Sequence, residues 1–252
     1  MQYEANPINT PGKKIFHRFN WYLSEKVDVG HFFISEAVKD NISNYLPIQK
    51  GFVINNGIET GKPNLEQARK IVSNHKYEDL WVIPGRLHKS KGQLFFIEST
   101  IKVIRNRKVL IVLAGGGPEI TSLKQAIQEL KLESNYLITG FVKNEVLLGL
   151  MELSSLVIIP SISEGFGITA IESLQLGKTI LSSNAGGLKE IIRDSDNGFV
   201  FEKNSRQSLL NKLTFIISRG EKVHFDSEYL IQEFKQKYNL DDRMRELLEL
   251  LE

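Results

Sequence analysis

With 252 residues, 41% of them hydrophobic and 25% charged, the chain has an ordinary globular composition and can bury one sizeable core or two small ones. Its 32 basic and 30 acidic side chains leave a formal charge of +2, too balanced for nucleic-acid binding by bulk electrostatics, and the lack of cysteine excludes disulfides and thiolate metal sites. No stretch approaches the roughly 18 apolar residues needed to cross a bilayer, and "MQYEANPINTPGKK" lacks the apolar core of a secretory signal, so a cytoplasmic protein is expected.

In chain order, "KKIFHRFNWYLSEKVD" reads as a helix, "HFFIS" as a strand, "EAVKDNISNYL" as a helix and "FVINNG" as a strand. So few elements cannot cover both faces of a sheet, and residues 1–58 therefore read as the tail of another α/β unit. The turn-rich "NNGIETGKPN" opens a linker and lead-in over 59–76. From Tyr77 the pattern alternates. "LWVIPG", "KVLIVLAG", "YLITG", "SLVIIPS", "KTILSS" and "GFVF" are short apolar runs of buried strand character. Between them, "GQLFFIESTIKVIRN", "EITSLKQAIQELKL", "NEVLLGLMELS", "GITAIESLQLG" and "GLKEIIRD" have helical spacing. Continuous apolar strands separated by helices predict a Rossmann-like, doubly wound parallel sheet over 77–252. Three helical runs, beginning at "SRQSLLNKL", "SEYLIQEF" and "LDDRMREL", close it.

In such sheets ligands bind beyond the carboxyl ends of the strands, where loops enter helix N-termini. The segment "PSISEGFGITAIES" occupies such a place. Gly165 and Gly167 carry no Cβ, so backbone there can approach a phosphate at the helix start around Ile168 and Thr169. Phe166 reads as a packing residue rather than a ligand contact. Arg86 and Lys91, in "PGRLHKSKGQ", enter a helix on the same edge, and two separated cations suit a diphosphate. In isolation they read rather as solvated loop charges, and the second phosphate-compatible turn beside them shifts the balance. Glu172 suits the two hydroxyls of a ribose and Glu164 those of a sugar beyond the diphosphate; singly, they read as a helix-dipole partner and a surface charge. "LGKT" has Glu172 where a phosphate-binding P-loop needs its first glycine, and it feeds a strand. "DSD", Asp194 to Asp196, reads as a polar turn. The histidines at 17, 31, 75, 88 and 224 form no helical ligand pair, so no metal site is expected, and His88 reads as a solvated loop residue.

Taken together, these residues resemble the group 1 (family 4 type) retaining glycosyltransferases of GT-B fold, whose two Rossmann-like domains face each other. "SEGFGITAIES" resembles their E-x7-E motif, "VINNGIE" their interdomain V-I-P-N-G-I-D with Asn55 for proline, and "PGRLHKSKG" their G-R-L-x-x-x-K-G. "VLAGGGPEITSLKQ", "ITGFVKNEVL" and "SSNAGGLKEII" follow in the expected order, so the likeness runs from about Phe32 to the C-terminus. It implies that Arg86 and Lys91 contact the donor diphosphate and that Glu164 orients the transferred sugar, these three forming the catalytic set. It implies further that Glu172 holds the ribose, that Gly165, Phe166, Gly167, Ile168 and Thr169 line the phosphate and sugar site, and that Gly140, Phe141 and Val142 lie where backbone meets the nucleobase.

The resemblance also implies a nucleotide-sugar donor, a glycan or lipid-linked acceptor, no metal on the diphosphate and no cofactor. A role in surface polysaccharides such as lipopolysaccharide or capsule, with peripheral association at the inner membrane face, goes with it. Residues 77–252 correspond to the donor-binding half, and 1–58 to the tail of the acceptor domain. Two expectations stand side by side. One is a glycosyltransferase completed by a missing or separately encoded N-terminal domain; the other is a donor-binding module that catalyses no transfer alone.

Overall fold

The computed structural model describes residues 31–45, 48, 51–59, 61–220 and 225–249. The helix expected in "KKIFHRFNWYLSEKVD" lies outside them. The first described elements are β1 (His31–Phe33), α1 (Glu36–Ser43) and β2 (Gly51–Val53), and the two strands pair in parallel with Phe32 stacked on Phe52.

Residues 59–76 are more than a linker. Asn64 caps α2 (Leu65–Val72) by accepting from Gln67 N, and Ala68 and Val72 enter the core. The 3.6-residue spacing of those two positions outweighs the turn signals just before them.

The main sheet comprises β3 (Asp79–Pro84), β4 (Val109–Ala114), β5 (Tyr136–Gly140), β6 (Leu156–Ile159), β7 (Ile180–Ser183) and β8 (Phe199–Phe201). All are parallel, in the order β5-β4-β3-β6-β7-β8. Counted from β3, that is the 3-2-1-4-5-6 order of a doubly wound nucleotide-binding sheet. Because side chains alternate along a strand, each strand feeds two cores. Leu80, Val82, Leu110, Val112, Val157 and Ile159 face one; Trp81, Ile83, Ile111, Leu113, Leu156 and Ile158 face the other. Burial on both faces explains why these strands read as unbroken apolar runs.

The helices are α3 (Gln93–Ile104), α4 (Ile120–Glu129), α5 (Asn144–Leu153), α6 (Ile168–Gln175), α7 (Leu188–Ile191), α8 (Arg206–Arg219), α9 (Ser227–Tyr238) and α10 (Leu240–Glu249). The doubly wound α/β fold expected from the alternating pattern is the fold observed. Strand order reverses between β3 and β6, the switch point at which sheets of this kind take their ligands, in the crevice outside the carboxyl ends of the strands.

Candidate functional site

The loops after β3 and β6 carry Arg86 and Lys91 on one side and Glu164 to Thr169 on the other. Their backbones are fixed by close contact. A Cβ on Gly92 would run into the Pro160 carbonyl oxygen, and one on Gly186 into that of Glu164, so both positions exclude larger residues. Ile162 N and Ser163 N both donate to Ser90 O, at 2.7 and 3.1 Å. The two loops are thus tied to each other through their backbones.

Each loop then opens a helix in the same manner. Gly92 (φ +70°) precedes α3 and Gly167 (φ +113°) precedes α6, and neither helix has a side-chain cap. The same holds for α4, α5 and α7, which follow β4, β5 and β7, whereas Ser35, Asn64, Ser205 and Asp226 cap α1, α2, α8 and α9. A helix start leaves orphan N–H groups and a partial positive charge. Along the carboxyl edge of the sheet from β3 to β7 those donors are left free of side-chain caps. Such an edge suits anionic oxygen.

Gly85 N donates to Ala114 O (3.0 Å) and Leu87 N to Gly116 O (2.9 Å), while Arg86 O accepts from Gln93 Nε2 (3.0 Å). Arg86 is held at its backbone on both sides. Its exposed guanidinium makes no ion pair with any described carboxylate. Lys91 closes a 3-10 turn (Lys89–Lys91) and points across the crevice, its Nζ 2.8 and 2.7 Å from the two oxygens of Glu164. Ser161 Oγ also donates to Glu164 Oε2, at 3.0 Å. Residues 73 positions apart therefore form one charge-assisted pair inside the crevice. His88, half-buried in this loop, has a further role: its Nδ1 accepts from Ser90 N (3.2 Å), capping the turn that aims Lys91.

Glu172 lies in the body of α6 and is only 8% exposed. Burial raises its pKa above the ordinary 4.5, against a hydrogen bond from Asn144 at the start of α5, which lowers it. A raised pKa means that ionising this carboxyl costs more in the folded chain than in the unfolded one. Glu172→Gln is therefore expected to raise the melting temperature at neutral pH, with the gain vanishing as pH falls below 4.5, where both side chains are neutral. A thermal scan across pH 4–8 tests this, and an equal melting temperature at neutral pH counts against it.

The remaining expected positions fall at the same edge. Gly140 (φ +69°), Phe141 and Val142 form the loop from β5 into α5, with Phe141 86% exposed beside Gly116. Ile168 is exposed and Thr169 half-buried at the start of α6. Phe166 differs from its neighbours: it is 5% exposed and its ring meets Tyr238 edge-on at 6.3 Å, so only its backbone can serve a ligand. Asp194 and Asp196 are turn residues, as expected; the first accepts from Val200 N (2.9 Å) and pairs with Lys212, and the second pairs with Arg193. Sequence reasoning did not single out Ser161 or Asn144. Asn144 reaches Glu172 only through the fold, whereas Ser161 lies three positions before Glu164, a local contact that the loop pattern did not mark.

Residues 65–232 match the family model for Glycosyl transferases group 1. The chain belongs to that family. Among its relatives is an uncharacterized glycosyltransferase of Methanocaldococcus jannaschii, 28% identical over 193 residues, which are 73% of this chain and 50% of that protein. Another is the Escherichia coli UDP-Gal:alpha-D-GlcNAc-diphosphoundecaprenol alpha-1,3-galactosyltransferase, 26% identical across 67% of this chain and 46% of that one. The group 1 chain thus spans about half the length of the curated relatives it matches. Among solved structures, Anabaena HepE in complex with UDP and glucose superimposes with a TM-score of 0.80 at 22% identity, covering 96% of this chain and 68% of that one. A glycosyltransferase from Rickettsia africae gives 0.79 at 22%, covering 96% and 66%. At these identities the structural likeness establishes a shared fold.

Proposed function

We propose that the chain is the donor-binding half of a retaining glycosyltransferase, which moves a sugar from a nucleoside diphosphate to a glycan or lipid-linked acceptor without a metal on the diphosphate. The observation that carries this reading is the Lys91–Glu164 pair, set between two uncapped helix starts with Arg86, which has no ion-pair partner among the described residues, on the same edge. A sugar diphosphate presents an anion followed by a ring of hydroxyls, and this crevice offers cations and N–H groups followed by a carboxylate.

In that reading the diphosphate lies against Arg86, Lys91 and the start of α6. The sugar C1–O bond breaks with its electron pair moving onto the phosphate oxygen, where these groups stabilise the growing charge. A bond forms from the acceptor oxygen to the same face of C1, and the acceptor proton passes to the departing diphosphate. Glu164 accepts hydrogen bonds from sugar hydroxyls, Glu172 from the ribose, and the Gly140–Val142 loop borders the base. A nearby E. coli relative acts on a diphosphoundecaprenol acceptor. That supports a lipid-linked acceptor, a role in surface polysaccharide synthesis and peripheral work at the membrane face. Among the described residues no helix is long and apolar enough to cross a membrane.

A second reading has its own support. In it the described residues form a donor-binding module that recognises nucleotide-sugar and catalyses no transfer alone; the match covers about half the length of the relatives.

Calorimetric titration with UDP, GDP and ADP, each with and without EDTA, tests the shared core of both readings. One nucleotide is expected to bind, with the same affinity in EDTA. A strict Mg²⁺ requirement would overturn the metal-independent chemistry, and no binding by a folded chain would overturn donor recognition. Sugar transfer or donor hydrolysis by the isolated chain then separates the enzyme from the module.

A further inference from the structure

The first described unit, β1-α1-β2, meets the donor loop at Gly165. Ser35 is fully buried between the two. Its Oγ accepts from Val38 N (3.2 Å), capping α1, and donates to the carbonyl oxygen of Gly165 (2.9 Å), 130 positions away. Beside it, Glu190 of α7 reaches the same helix start, accepting from Glu36 N at 3.0 Å and from Ala37 N at 2.8 Å. One hydroxyl and one carboxylate thus take three of the four orphan N–H groups of α1. A carboxylate at the positive end of a helix is also favoured electrostatically.

The other end of each contact is the donor loop. Glu190 sits on a helix whose lead-in, Gly186-Gly187, packs flush against the carbonyl groups of Glu164, Gly165 and Phe166. Gly187 N donates to Glu164 O at 3.4 Å. The loop is therefore gripped from two sides, by α7 at Glu164 and by Ser35 at Gly165. A trans peptide is planar, so fixing the Gly165 carbonyl also fixes the opposite edge of that plane, the Phe166 N–H. Gly165 has no side chain of its own to hold it; the nearest atoms to a Cβ there would be Ile34 Cδ1 and Val38 Cγ2, both 4.0 Å away in the first unit.

We infer that Ser35 and Glu190 are positioning residues of the donor site, through which the first unit holds the Gly165–Thr169 backbone in its ligand-binding form. The unit is then a working part of donor recognition, since a loop whose carbonyl loses its donor must be reordered by each incoming ligand. This rests on the donor reading above. Ser35 touches no substrate atom; it acts through Gly165.

Amide hydrogen exchange of the full chain, with and without UDP, tests it in Ser35→Ala, Ser35→Thr and Glu190→Gln. In the free protein, Ser35→Ala is expected to speed exchange at Gly165–Thr169 by about fivefold, the worth of one ordinary hydrogen bond, while β3, β4 and β6 keep their protection. UDP affinity should fall by a similar factor. Ser35→Thr, which keeps the hydroxyl, should restore both, and Glu190→Gln, which keeps the shape of the side chain, should lie between. Unchanged exchange at 165–169 in folded Ser35→Ala and Glu190→Gln overturns the inference, as does a loss of protection spread evenly over the sheet. The free-protein measurement needs no ligand, so it decides this proposal even if UDP does not bind. Arg86→Ala, titrated alongside, tests donor recognition separately.

Discussion

Arg86→Ala and Lys91→Ala are each expected to weaken binding of the favoured nucleoside diphosphate by roughly ten- to a hundredfold, the worth of one charge-assisted hydrogen bond. The two losses should differ in kind. Arg86 has an exposed guanidinium with no described carboxylate paired to it, so its removal takes away one cation and disturbs little else. Lys91 is bound to both oxygens of Glu164, and removing it leaves an uncompensated carboxylate in the crevice, only 11% exposed, facing an incoming anion. Its loss should therefore be the larger, and it should grow at low ionic strength where repulsion is least screened. Glu164→Ala gives the complementary test. It releases Lys91 to the phosphate, so binding of the bare nucleoside diphosphate should hold or improve, while the extra affinity contributed by the sugar of the conjugate falls. All three variants should remain folded, because the pair lies in a ligand crevice rather than in either core. Calorimetry of the nucleotide and its sugar conjugate against each variant decides. Equal affinities across all three would remove these residues from the site.

Sequence and structure agree where each element carries its own physical signature. The central strands β3, β4, β6 and β7 are buried on both faces, so unbroken apolar runs mark them without knowledge of their partners. The two glycine-bearing loops could be placed at the carboxyl edge because each lies between a strand and a helix. Phe166 could be separated from the glycines around it, since a large ring beside an amphipathic helix has a core to enter; it enters it against Tyr238. What stayed hidden depends on long-range pairing. No local pattern states that β6 returns beside β3, which is why Arg86, Lys91 and Glu164 could be placed on one edge but Lys91 could not be paired with Glu164. Glu190 is one of many helical glutamates until α1 arrives at it. Residues 59–76 misled differently: Asn-Gly and Gly-Lys-Pro are strong turn signals, and they drew attention from the shorter helical pattern of "LEQARKIV" behind Asn64.

Glu233→Ala is expected to lower the melting temperature by about 5–10 °C at neutral pH, from a loss of about 2–3 kcal/mol. The Glu233 side chain is 4% exposed on α9. Its Oε1 accepts from Arg193 Nη1 (2.6 Å) and Lys237 Nζ (2.8 Å), and its Oε2 from Asn197 Nδ2 (2.9 Å). Burial alone would raise its pKa, but these donors outweigh burial and hold it down to about 2. Removing the carboxylate takes a partner from Arg193 and from Asn197 but leaves Arg193 its pair with Asp196 and Asn197 Nδ2 its bond to Ile191 O. The figure is set below that of a fully buried pair because Arg193 and Lys237 are 36% and 51% exposed. The sign of the pH dependence follows from the depressed value. The stabilisation is fully present above the ordinary glutamate value of 4.5 and is lost as pH falls from there towards about 2, so the gap between wild type and variant should narrow over that window. Melting curves at pH 7 and at steps below pH 4.5 check both parts; a variant that melts with wild type at pH 7 would show that the network contributes nothing net. The consequence reaches the site. Helix α9 carries Leu230, Phe234 and Tyr238 into the core behind α6, and the Tyr238 ring backs Phe166 in the donor loop. Loosening α9 should therefore weaken nucleotide binding by a smaller factor than Arg86→Ala, through the packing behind the loop rather than through any group that meets the ligand.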